Sequence, residues 1–88
     1  MPVIIDFENR AAATLAINLM KDSSKLTEEL AIGTAWQAYR LSDALKFRGE
    51  RYQEEVRNAI RDIRSGKLER IEPNAKVMLR AHELLGLK

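Results

Sequence analysis

The sequence predicts an all-α fold, a compact bundle of about four helices preceded by a short extended N-terminal segment. Apolar residues recur at intervals of three and four over most of the chain, the spacing that gathers them on one face of a helix. The two prolines and four glycines are few and fall mostly where helices should begin or end. Tracts of β-strand alternation and low-complexity stretches are missing from the pattern, so residues 1–88 read as one helical domain.

Each element has its own local reason. The first helix is expected from about Phe7 to Met20, with Asp6 as N-cap and Glu8 in the first turn, where acidic groups suit the positive end of the helix dipole. Phe7, Ala11, Leu15 and Leu19 recur every fourth residue, with Ala12, Ala16 and Met20 beside them. The many alanines permit close helix–helix approach. Asp22, Ser23 and Ser24 read as a loop. A second helix is expected from Thr27, as its cap, to about Phe47, with one face marked by Leu30, Ala31, Ala38, Leu41 and Leu45. Gly33 within it is unfavourable by up to about 1 kcal/mol against alanine, which argues for a close packing contact there.

Gly49 separates a third helix, about Glu50 to Arg64, in which Tyr52, Val56, Ala59, Ile60 and Ile63 form the clearest amphipathic face of the chain. Gly66 is placed to end it in the left-handed conformation, with Leu68 supplying the apolar contact that accompanies such caps. Leu68 and Ile71 should tuck inward from the connector 67–72. The last helix is expected from Pro73, at the first helical position, to about Leu85, burying Val77, Ala81, Leu84 and Leu85 before Gly86 ends it. Within it, RAHELLG resembles the end of some phage small terminase subunits, which bind DNA; this short stretch is a common helical pattern and carries no function over.

Composition narrows the function classes. The chain has no cysteine, so disulfides, thiolate zinc sites and thiol nucleophiles are excluded together, and a reducing, cytoplasmic setting is expected. The apolar run from Ala11 to Met20 is far too short to span a bilayer, and no membrane role is expected. Fifteen Lys and Arg against thirteen Asp and Glu leave a net charge of +2, too small to argue for nucleic acid by itself. His82 is the single histidine and reads as a boundary residue, because a hydrolytic or zinc site needs partners it does not have. The carboxylate pairs Glu28–Glu29, Glu54–Glu55 and Glu69–Glu72 read as solvated surface charge. No phosphate loop or nucleophile elbow is present. No enzymatic activity, cofactor, metal or small-molecule substrate is expected.

Two clusters remain. Arg57, Arg61 and Arg64, at spacings of four and three, share one stripe of the third helix, opposite Val56, Ile60 and Ile63. Asn58 lies beside the stripe, and Arg48 and Arg51 precede it. Arginine and asparagine can neutralise phosphates and read base edges, whereas Glu54, Glu55 and Asp62 on the same helix suit a solvated face laced with ion pairs. Trp36, Tyr39 and Arg40 are the residue types enriched in protein interfaces, but the favoured reading of Trp36 is the filler of a core short of large side chains. The expected function is a helical interaction module, regulatory or adaptor in kind, that contacts another protein or itself as a homodimer. The alternative is a DNA- or RNA-binding regulator that uses the arginine stripe. The apolar start, MPVII, is expected either to pack across the bundle or to pair with a second chain.

Overall fold

The described residues form a bundle of four α-helices: α1 (Val3–Asp22), α2 (Glu28–Ala38), α3 (Arg51–Arg64) and α4 (Ala75–Leu85). It was obtained as a computed structural model that describes residues 3–39 and 51–86, with the side chains of 3–8 and 51–52 outside that description. α1 is the hub, packed against α2 and α3, while α4 docks mainly on α2.

α1 begins at Val3, which corrects both the expected start at Phe7 and the extended N-terminal segment. Val3, Ile4 and Ile5 are only slightly poorer helix formers than alanine. Once a long alanine-rich helix is nucleated, adding a residue gains one hydrogen bond for one residue fixed. Asp6 therefore lies inside the helix instead of capping it. Residues 3–5 are helical instead of extended.

Small side chains set the packing. Ala12, Ala13, Ala16, Ala31, Ala35, Ala38 and Ala81 are all fully buried, interleaved with Leu15, Leu19, Ile32, Trp36, Val56 and Ile60. Alanine lets backbones approach, and the larger residues fill the space between. Trp36 is 1% exposed, so it serves as core filler, the second of the two readings its sequence allows.

α2 starts as expected, with the Thr27 side chain accepting from the Leu30 N–H at 3.2 Å. It stops at Ala38, with Tyr39 as C-cap, well short of the expected Phe47; residues 40–47 lie outside the described residues. The Arg80 guanidinium donates to the Ala38 carbonyl, one of the acceptors that a helix end leaves open. Leu30, expected in the core, is 59% exposed. At about 100° per residue it falls on the side of α2 opposite Ile32. Among the described residues, a Cβ added at Gly33 would meet nothing within 4 Å, contrary to the close packing expected there.

α3 is the helix the periodicity describes, with Val56, Ala59, Ile60 and Ile63 buried. Gly66 follows with φ +87°. The Lys67 N–H bonds the Asp62 carbonyl and the Gly66 N–H bonds that of Ile63, the paired pattern of a Schellman cap. Leu68 packs on the core beyond it, and Ile71 is half-buried. The cap of α4 is Asn74, whose side chain accepts from the Val77 N–H at 2.9 Å. Pro73 thus precedes the cap instead of opening the helix, because the Asn74 side chain offers the acceptor that the first turn needs. Val77 and Ala81 are buried, but Leu84, in the last turn, is 48% exposed and leaves the expected buried side.

Candidate interaction groove

α3 presents different chemistry on its two flanks. On the α2 side, Arg57, Arg61 and Arg64 line an open groove of about 560 Å³ together with Glu28, Ile60 and Ser65. The stripe thus lies beside the apolar face, with Ile60 shared between core and groove, and not opposite that face as the spacing alone suggested. Arg57 Nε donates to Glu28 Oε1 at 2.9 Å, joining α3 to the first residue of α2. The two side chains are 50% and 33% exposed, so the pair is hydrated and contributes at most about 1 kcal/mol. Arg61 donates to the Asn58 side chain one turn earlier.

On the other flank, Asn58 lines a smaller hollow of about 230 Å³ with Asn9, Glu55, Ala59, Asp62 and Leu68. Asn9, 9% exposed, donates to Glu55 Oε1 at 3.2 Å. Asn58 therefore sits on the ridge between a basic groove and an acidic hollow. Of the remaining candidates, Arg51 starts α3, with its side chain outside the described residues. Arg40 and Arg48 also lie outside them. Trp36 is withdrawn into the core, away from any contact surface. Tyr39 is half-buried at the end of α2; burial, and then the nearby Glu72 carboxylate, push its phenol above the usual value.

A polar cluster escaped the sequence reading. Arg10, Thr14 and Asn18 recur every fourth residue along α1 and hold the connector that follows α3. Arg10 donates to the Glu69 carbonyl at 3.2 and 3.4 Å. The Ile71 N–H donates to Thr14 Oγ1 at 3.0 Å, while that hydroxyl donates to the Arg10 carbonyl at 2.9 Å. Asn18 donates to Glu72 Oε1 at 3.2 Å and accepts from Arg70. Hydrogen bonds from Arg70 and then Asn18 hold the Glu72 carboxyl below the usual carboxylate range. The four-residue spacing was visible in the sequence; the surrounding alanines hid it, because Thr14 and Asn18 looked like interruptions of an apolar face.

His82 Nε2 lies 3.1 Å from Asp22 Oδ2, joining the last turns of α4 and α1. Among the described residues, no three or more His, Cys, Asp or Glu side chains are grouped to hold a metal ion, and no helix is long and apolar enough to cross a membrane. What the groove offers is charge-assisted hydrogen bonding from arginine side chains. Comparison with protein families, with curated proteins and with solved structures finds no match to this chain.

Proposed function

We propose that this chain is a small non-catalytic interaction module, regulatory or adaptor in kind, that holds an acidic segment of a partner protein in the groove between α2 and α3. The convergence of Arg57, Arg61 and Arg64 on one open groove carries this reading. Guanidinium groups bind carboxylates through directed, charge-assisted hydrogen bonds. The aliphatic stems of the same arginines suit an apolar side chain from that segment. The cysteine-free sequence favours a reducing setting, and we place the protein in the cytoplasm.

The same arginines, with Asn58 on the ridge beside them, give nucleic acid a claim as the second reading. It is weaker, because the net charge of +2 is small and a duplex, broader than the groove, would also meet Glu54, Glu55 and Asp62, which a segment confined to the groove does not touch. A labelled Glu-rich peptide, a DNA duplex and a single-stranded RNA, each titrated at two salt concentrations, separate the readings. The peptide is expected to bind, more weakly at high salt. The triple change Arg57→Gln, Arg61→Gln and Arg64→Gln should weaken it about tenfold, because three exposed ionic contacts at a few tenths of a kcal/mol each sum to that factor. Duplex or RNA binding that the triple change abolishes, without peptide binding, would overturn the protein reading in favour of nucleic acid.

A further inference from the structure

We infer that Glu28 fills a carboxylate subsite of the groove in the free protein, and that a partner helix carrying a stripe of carboxylates binds by displacing it from Arg57. This rests on the groove being the binding site, as proposed above. Three observations support it. First, Glu28 reaches Arg57 across 29 residues of sequence from the first turn of a different helix, so its carboxylate comes to the groove as an incoming one would. Second, this ion pair is half-hydrated, and pairs of that kind exchange at little cost. Third, the groove holds more cations than its own carboxylate satisfies: Arg61 is bonded to the amide of Asn58, and Arg64 has no carboxylate partner among the described residues.

The spacing specifies the partner. Residues 57, 61 and 64 repeat at intervals of four and three, spanning about 10 Å of helix at 1.5 Å per residue. Carboxylates at positions i, i+4 and i+7 of a second helix repeat over the same length and on one face. An apolar residue between them would meet the aliphatic stems of the arginines. The occupant is therefore an acidic amphipathic helix.

The test uses the full chain and a labelled helix-forming peptide with Glu at i, i+4 and i+7, against a scrambled peptide of the same composition. Glu28→Gln leaves the Thr27 cap in place and substitutes a good helix former, so circular dichroism should be unchanged. The peptide should bind this variant about two- to fivefold more tightly than the unaltered protein, the factor by which a hydrated ion pair competes. Arg64→Gln alone should weaken binding. If the unaltered protein binds, the arginine changes weaken it, and Glu28→Gln leaves affinity unchanged or lowers it, the groove stands as the site and Glu28 is a positioning residue for Arg57. Equal binding of the scrambled peptide would overturn the helical partner. Absence of binding by both the unaltered protein and Glu28→Gln would overturn the inference together with the proposed function.

Discussion

Thr14 and Leu15 are neighbours on α1, and both are fully buried, yet they attach different parts of the molecule by different physics. Leu15 belongs to the apolar core shared with the other helices, where attachment scales with area removed from water and tolerates sliding. Thr14 holds the connector through one hydroxyl that accepts from Ile71 and donates to Arg10, an attachment with a fixed direction and length. The helices are positioned by burial. The connector has no helix of its own to bury; Leu68 anchors its start on the core, and hydrogen bonds fix residues 69–72.

Changes at the two positions therefore differ in size and kind. Leu15→Ala should be the larger, destabilising by about 2–5 kcal/mol in urea denaturation through lost transfer energy and a cavity. A loss below about 1 kcal/mol would mean that the core collapses around the vacancy. Thr14→Val keeps the shape but strands the Ile71 N–H, and should cost about 1–2 kcal/mol. A neutral result would show that water replaces the hydroxyl and that the connector is not fixed there. Smaller still is Glu72→Gln, since Glu72 is well exposed. Its carboxyl is lowered in the folded chain, so its stabilisation is complete above the ordinary carboxylate range and is lost as pH falls through that range and below it. The variant should differ from the unaltered protein at neutral pH by less than about 1 kcal/mol and converge with it in acid. A difference that grows in acid would reverse the sign of the argument.

The features legible in the sequence are those decided within a few residues of chain. Thr27, Gly66 and Gly86 act locally as caps, and the phase of Val56, Ile60 and Ile63 follows from helix geometry alone, so all of them could be placed. The three arginines were legible as a stripe for the same reason. Their groove was not, because its other wall comes from Glu28 on α2. The connector's fastening to Arg10, Thr14 and Asn18 was equally hidden, since each bond joins residues more than fifty positions apart. Leu30 was misplaced because an apolar residue in a first turn can face either way, and only the packed position of α2 decides.

Gly33 and Gly66 carry a consequence of chirality. Both have open space where a methyl group would go, so crowding is removed as a variable and only backbone handedness remains. Gly33 lies within the right-handed α2, where an L-alanine is at home and also narrows the unfolded ensemble; Gly33→Ala should stabilise by about 0.5–1 kcal/mol. Gly66 is held at φ +87°, the mirror-image region, where the same methyl group should cost about 1–2 kcal/mol. Paired melting curves would show one substitution with two signs, and the bundle would report the handedness of its own building blocks.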